Sequence, residues 1–289
     1  MSSKPGTLWV VATPLGNPGD LSPRARGVLA SVSGILAEDT RKAGSLLARC
    51  GVSAPDRPEG GWSFTSFHEH NEEARLPIVL AWLREGKSLA LISDAGTPLF
   101  SDPGYRLVRA CRDAGIAVSP VPGPSAPLAA LCASGLPPYP FAFLGFAPRK
   151  KAEREAFFAP WAALSVTLVF FERRDRLEAT LDSAFKALGR REICVARELT
   201  KLYEEFLFFV LGEHTPLPEL LGELTVVLGP PKPGCGERSR SSPDKVEAVL
   251  GEEAARGGRM KEAAARAQAR LKGWTAKELY GRLCGKESG

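Results

Sequence analysis

Strand-length runs and helix-spaced segments alternate through the first 121 residues. The runs at 8–12, 32–37, 63–67, 88–92 and 117–121 are rich in apolar or β-branched residues, as buried strands are. Between them lie amphipathic segments at 23–31, 43–50, 74–85 and 105–114. Ser22-Pro23 supplies an N-cap followed by proline at the first helical position, and Gly51 stops the second helix. In the fourth, Leu107, Val108 and Cys111 share one face. This βαβαβαβαβ order predicts a parallel sheet with right-handed crossovers.

The pattern changes near Pro140. Runs at 141–146, 165–171, 191–197 and 224–228, with a helix at 176–188, predict a second, mixed sheet. Pro230-Pro231-Lys232-Pro233-Gly234 has a linker composition. Helical patterns follow at about 243–256, 259–272 and 275–284, the last opening on the capping-box spacing Thr275-Ala276-Lys277-Glu278. The expected architecture is therefore two α/β domains, 1–122 and 123–232, and a small helical module at 240–289.

Residues 114–148 carry no charge, yet seven prolines between 120 and 140 interrupt them and leave only 128–133 helix-like. A spanning helix needs roughly 20 apolar residues, so the segment is expected to be buried or site-lining. Residues 1–6 lack the apolar region of a signal peptide, and a cytoplasmic protein is expected. The six cysteines form no CxxC pair, and three sit in apolar segments, as reduced core residues do. Net charge is +5, and its placement matters more than its size. Residues 1–229 balance 25 Lys and Arg against 25 Asp and Glu, whereas 230–289 carry 13 against 8. A basic tail on a neutral body suits a polyanionic partner; it equally suits solvated helix faces. From Arg256 onward there are nine basic and three acidic residues, compatible with a helix-turn-helix-like module or a simple packing tail.

The chemistry concentrates after the 88–92 strand, in Ser93-Asp94-Ala95-Gly96-Thr97-Pro98-Leu99-Phe100-Ser101-Asp102-Pro103-Gly104. In open α/β sheets ligands bind at the carboxyl ends of strands. Ala95-Gly96 and Pro103-Gly104 allow close backbone approach, and Asp94 and Asp102 supply fixed acceptors. Polar loops at 13–20, 38–42 and 68–73 end the other strands, and all four are expected to meet along one crevice. There is no GxxxxGK[ST], no GxGxxG after the first strand and no GxSxG, which argues against P-loop, dinucleotide and α/β-hydrolase chemistry. His68 and His70 flank Glu69, but only His214 remains among the histidines, so no metal is expected.

Five segments occur in a telling order: Thr13-Pro14-Leu15-Gly16-Asn17 with Asp20, Ala37-Glu38-Asp39-Thr40-Arg41, His68-Glu69-His70-Asn71-Glu72, the 93–104 loop, and Pro122-Gly123-Pro124-Ser125. Together they resemble the ribosomal RNA small subunit methyltransferase I family of the tetrapyrrole methylase superfamily. Arg197-Glu198-Leu199-Thr200-Lys201 and Gly222-Glu223-Leu224-Thr225 continue the likeness, which covers about residues 7–230. Where the wider superfamily has Gly-Asp-Pro, this chain has Ser93-Asp94-Ala95, the pattern of the rRNA branch.

The resemblance implies S-adenosylmethionine as cofactor, held between two α/β domains of a homodimer. It implies as substrate the 2′-hydroxyl of a cytidine in the decoding region of small-subunit rRNA, free or in the 30S subunit. By position, cofactor contacts fall to Leu15, Asp94, Thr97, Pro98, Ser125, Ala126, Phe171, Glu198 and Leu224. Candidates for activating or positioning the hydroxyl are Glu38, Asp39, Arg41, His70 and Lys201; Glu38, Asp39 and Arg41 equally suit a salt-bridge and helix-cap cluster. RNA contacts would fall to Arg149-Lys150-Lys151-Arg154, Arg173-Arg174-Arg176 and the tail. Two alternatives remain: a small-molecule methyltransferase of the same superfamily, and an RNA-binding assembly protein without catalysis.

Overall fold

Thr7–Val11 (β1), Gly34–Ala37 (β2), Ser63–Ser66 (β3), Leu89–Leu91 (β4) and Ala117–Val121 (β5) form an all-parallel sheet of order β3-β2-β4-β1-β5. This is a computed structural model, and it describes residues 4–54, 63–214, 217, 222–231, 241–271 and 273–285. The linker at 230–234 falls largely outside that set, as does Cys235. Residues Met1–Pro230 form one compact unit and Pro231–Gly289 a second.

The first sheet is covered on both faces. Pro23–Ser31 (α1) and Thr40–Arg49 (α2) bury Ala25, Leu29, Leu46 and Leu47 against Val11, Ile35 and Ile92. Glu72–Arg84 (α3) and Tyr105–Asp113 (α4) bury Val79, Leu83, Leu107 and Cys111 against Leu8, Leu36 and Leu91. Alternate strand residues therefore feed opposite layers, so the strands read as continuous apolar runs. Ser22 caps α1, its hydroxyl accepting from the Ala25 amide at 3.1 Å. The second helix starts three residues earlier than its apolar spacing predicts, because Asp39 caps it and accepts from the Arg41 amide at 2.9 Å.

The second sheet comprises Phe141–Phe146 (β6), Thr167–Arg173 (β7), Glu192–Arg197 (β8), Glu205–Val210 (β9) and Glu223–Leu228 (β10), in the order β6-β7-β10-β8-β9. Only β6 and β7 pair parallel; the rest are antiparallel, a mixed sheet as expected. Ala126–Ala133 (α5) packs on Val169, Cys194 and Val227. Lys151–Phe158 (α6) and Leu177–Leu188 (α7) cover the other face, at Leu168, Phe170, Val195 and Val226. Strand β7 runs two residues beyond its apolar stretch because Glu172 is neutralised in place. Its carboxylate accepts from the Thr180 hydroxyl at 2.6 Å and from the Arg176 guanidinium. Helix α6 and strand β9 have no counterpart in the sequence pattern. The first is mostly charged, and the second is an unbroken apolar run without a period.

Burial pushes the Cys111 and Cys194 thiols up to about 11, so both remain protonated core residues. Among the described residues, no helix is long and apolar enough to cross a membrane.

The second unit packs Pro243–Ala255 (α8), Met260–Arg270 (α9) and Ala276–Leu283 (α10) around Val246, Leu250, Ala264, Ala267 and Leu279. Its centre holds a charge. Glu253 is fully buried and accepts from Arg256 and Arg266 at 2.9 Å and from Arg270 at 2.6 Å. Arg282 stacks over Trp274 at 4.9 Å and pairs with Glu247. Four of the tail's arginines thus hold the module together, and among the described residues Lys245, Arg259, Lys261 and Lys277 are exposed cations outside these pairs.

Hydrogen bonds from Arg270 and Arg266 hold the Glu253 carboxyl below its usual range. A depressed carboxylate stabilises fully above its unfolded value of 4.5 and loses that contribution as pH falls through the folded value. Amide exchange in α8 and α9 should therefore be faster in Glu253→Gln than in the wild type at pH 7, with the gap closing in acid. Equal protection at pH 7 would contradict the buried charge as a support of the module.

Candidate active site

Strand order creates the site. From β1 the chain proceeds to β2 and β3 on one side, whereas from β4 it crosses to β5 on the other. Since β1 and β4 are neighbours, their carboxyl ends make a topological switch point, where a crevice opens. Thr13 and Gly96 bridge it reciprocally: the Thr13 amide donates to the Gly96 carbonyl at 2.9 Å, and the Gly96 amide returns a bond at 3.1 Å. The Thr13 side chain is fully buried, and its hydroxyl reaches the Ser93 carbonyl at 3.2 Å. Thr97 donates to the Pro124 carbonyl at 2.9 Å, which joins the β5 loop to the same cluster.

The second half of the unit closes the crevice. The Asn17 amide donates to Thr200 Oγ1 at 3.2 Å, and the stem of Lys201 lies so close to Gly16 that a Cβ there would sit 2.3 Å from its Cγ. The result is a cavity of about 650 Å³, within the usual size of small-molecule sites. Its first wall is built from Leu15, Glu38, the 94–97 and 100–102 stretches, and Ser125 to Pro127. Its second is built from Phe146, Phe171 to Asp175, Glu198, Leu199, Lys201 and Gly222 to Thr225.

Two loops hold strained backbone beside this cavity. Leu99, Ser101, Glu198 and Thr200 have φ of 74°, 67°, 50° and 65°, a region non-glycine residues seldom occupy. Such strain persists where surrounding structure over-determines it, commonly at functional sites. Leu99 and Ser101 bracket Phe100, and this turning brings Phe100, Ser101 and Asp102 in succession to the cavity. In β6 the register shifts between Phe143 and Phe146 around Gly145, and the bulge sets Phe146 against Phe171, ring centroids 5.3 Å apart.

Charges divide unevenly. The first wall carries acids alone, Glu38, Asp94 and Asp102, whereas the second mixes Arg173, Arg174 and Lys201 with Glu172, Asp175, Glu198 and Glu223. Lys42 binds Asp94 Oδ2 at 2.7 Å, and this bond raises the Lys42 pKa. The other oxygen, Asp94 Oδ1, is buried without a hydrogen-bond partner, so it offers an acceptor to a ligand donor. Burial, then the fields of Glu38 and Asp94, push the Asp102 carboxyl up to about 6. Lys201 pairs with Glu198 at 3.0 Å.

Of the residues expected at a cofactor, Leu15, Asp94, Thr97, Ser125, Ala126, Phe171, Glu198 and Leu224 line the cavity; Pro98 is buried beside it and does not. Of the hydroxyl-side candidates, Glu38 and Lys201 line it, and Asp39, Arg41 and His70 do not. Asp39 is spent on capping α2, with its carboxyl lowered by Arg41, whose side chain is 91% exposed. The 68–73 loop stays out because β3 is the edge strand, beyond β2. Its Asn71 bonds the His68 amide at 2.9 Å and the Ser66 carbonyl at 3.1 Å, closing the turn on itself. Buried Glu72 instead supports the 93–104 loop, accepting from the Gly104 amide at 3.4 Å.

Two of the expected RNA-contacting arginines are structural. Arg154 is buried and donates to the Arg149 carbonyl at 2.6 Å, and Arg176 serves Glu172. Phe100, Phe146 and Asp102 were absent from the expected site; only Asp102, as a loop acceptor, left a trace in the sequence.

Gly222 has φ +88°, and a Cβ on it would lie 1.9 Å from Glu198 Oε1, whereas Gly27 in α1 faces open space. Gly222→Ala should lower stability to urea by ~1–3 kcal/mol. Gly27→Ala should raise it by ~0.5–1 kcal/mol. The reverse order would contradict the packing of Glu198 against this turn.

A family model described as tetrapyrrole (corrin/porphyrin) methylases matches residues 7–215. The chain is 41% identical to the ribosomal RNA small subunit methyltransferase I of Mesorhizobium japonicum, across 96% of this chain and 90% of that one. It is 48% identical to the protein of the same name from Xylella fastidiosa, across 71% and 72%. Among solved structures, it resembles a uroporphyrin-III C-methyltransferase from Thermus thermophilus complexed with S-adenosylhomocysteine, with TM-score 0.52 and 20% identity. That likeness covers 78% of this chain and 97% of that one, and at such identity it speaks to the fold.

Proposed function

The chain belongs to the tetrapyrrole methylase family, in its ribosomal RNA small subunit methyltransferase I branch, and from that premise we propose that it methylates a cytidine 2′-hydroxyl in the decoding region of small-subunit rRNA, with S-adenosylmethionine as donor. The observation that carries the reading is the 650 Å³ cavity at the switch point, with an unpartnered Asp94 oxygen in its wall. When bound, S-adenosylmethionine supplies a methyl group on a sulfonium, open to in-line displacement. The protein's task is then to hold donor and acceptor in line and keep water out.

The residues suit that task. Asp94 Oδ1 accepts a hydroxyl or amine proton, and the Lys42 ion pair fixes the carboxylate that offers it. Leu15 beside Gly96, with Leu224 and Phe171, supplies apolar surface for a flat heterocycle. Exposed Arg149, Lys150, Lys151, Arg173 and Arg174 offer contacts to RNA phosphates. A ribose hydroxyl rather than a tetrapyrrole carbon as acceptor rests on the identity shared with rRNA methyltransferases along nearly the whole chain.

Incubating the protein with 30S subunits and methyl-labelled S-adenosylmethionine should yield labelled 2′-O-methylcytidine on nucleoside mass spectrometry. Label on a base, or none on RNA, would contradict the reading. Asp94→Asn should weaken S-adenosylhomocysteine binding by roughly 10- to 100-fold in calorimetry, as expected for losing a charge-assisted hydrogen bond. Unchanged affinity would remove Asp94 from the donor site.

A further inference from the structure

We infer that Asp102 is the general base of the reaction, its carboxylate taking the proton of the attacking hydroxyl; the inference rests on the ribose-methylation reading above. Most charged groups that reach the cavity are already engaged. Asp94 is paired with Lys42, and Lys201 with Glu198, so each of these is engaged in an ion pair. Glu198 is held by Lys201, and Glu172 by Arg176 and Thr180. Asp175 pairs with Arg173 at 3.3 Å. Among the described residues, Asp102 and Glu38 are the cavity-lining carboxylates without a cation partner, since Glu223 lies 3.9 Å from Lys201. Of the two, Glu38 is exposed and Asp102 is half-buried, and desolvation favours the neutral acid.

The backbone adds an independent reason. Leu99 and Ser101 both take left-handed conformations immediately before Asp102, and Gly104, at φ +123°, follows it. A Cβ on Gly104 would stand 2.5 Å from Leu91 Cδ2, so the loop is pressed onto the end of β4. Behind it, Glu72 accepts from the Gly104 amide. The chain therefore passes through two unfavourable torsions and a glycine turn in six residues, and the outcome is a carboxyl presented to the cavity beside Phe100. Phe100 is 54% exposed, and its face is available to an unstacked base whose ribose would then lie near Asp102.

The charged groups acting on Asp102 are Glu38 from the end of β2 and Asp94 from its own loop, both anionic. Burial first, and then these two charges, raise its pKa to about 6, close enough to neutrality to accept a proton while remaining mostly ionised at pH 7. In the step, the O2′–H proton passes to the Asp102 carboxylate and the bonding pair stays on O2′. That oxygen bonds the methyl carbon as the C–S bond breaks, its electron pair remaining on sulfur. Asp102 then returns the proton to solvent.

The test is Asp102→Asn, with Asp102→Glu as a conservative companion, in single-turnover methylation of 30S subunits across pH 5–9. Positioned bases contribute roughly 10²–10⁴-fold. Asp102→Asn should slow transfer by at least about 10²-fold and abolish the acidic limb, Asp102→Glu should restore part of both, and calorimetry should find S-adenosylhomocysteine affinity unchanged in both. Carbon-13 NMR of the ligand-free protein should find one aspartate carboxyl titrating near 6 that is missing from Asp102→Asn. A full rate in Asp102→Asn would overturn the inference while leaving the methylation reading intact, as would lost cofactor affinity with an unchanged limb. Absence of ribose methylation by the wild type would instead overturn that reading and this inference with it.

Discussion

The reciprocal hydrogen bonds between Thr13 and Gly96 are the constraint on which the site depends. They span the point where the first sheet reverses its direction of growth, between two loops that chain connectivity would otherwise lead apart. Gly96 holds φ +80°, and a Cβ there would come within 3.0 Å of Leu15, so the two backbones meet with little room for a side chain. With the loops joined, Asp94, Thr97 and Leu15 share one wall. The Thr97 bond to Pro124 then draws in Ser125 and Ala126.

The second half of the unit supplies the cations that the first wall lacks, Arg173, Arg174 and Lys201, set among acids of its own. Its sheet is buried on both faces, which leaves the ends of its strands and the turns between them to meet the crevice. The 198–201 turn does so through strained backbone at Glu198 and Thr200, with Lys201 laid over Gly16. A mobile surface loop would relax such torsions. Here the Asn17–Thr200 bond and the Glu198–Lys201 pair hold them on the side facing the cavity.

Much of this was legible in the chain. The five strands of the first sheet follow from apolar runs bounded by loops, and their parallel pairing from the helices between them. The 93–104 loop announces itself through its glycines, prolines and aspartates. What could not be read was lateral order. Nothing local says that β3 lies at the edge, so His70 had the same standing as Glu38 until the strands were placed. Asp39 has a short-range role, capping α2, that its position just before a helix already favoured. Phe100 and Phe146 reach the cavity through torsions and a bulge that an apolar pattern cannot register. Arg154 and Arg176 illustrate the converse: in a run of basic residues, a buried partner such as Ser183 or Glu172 decides which arginine is surface and which is core.

One cavity, walled by both halves of residues 1–230, is proposed to hold the methyl donor. A crystal structure with S-adenosylhomocysteine examines it most directly. The account predicts the ligand in contact with Leu15, Asp94 and Thr97 on one side and with Glu198 and Leu224 on the other. A ligand seated elsewhere, or touching only one of the two walls, would contradict it.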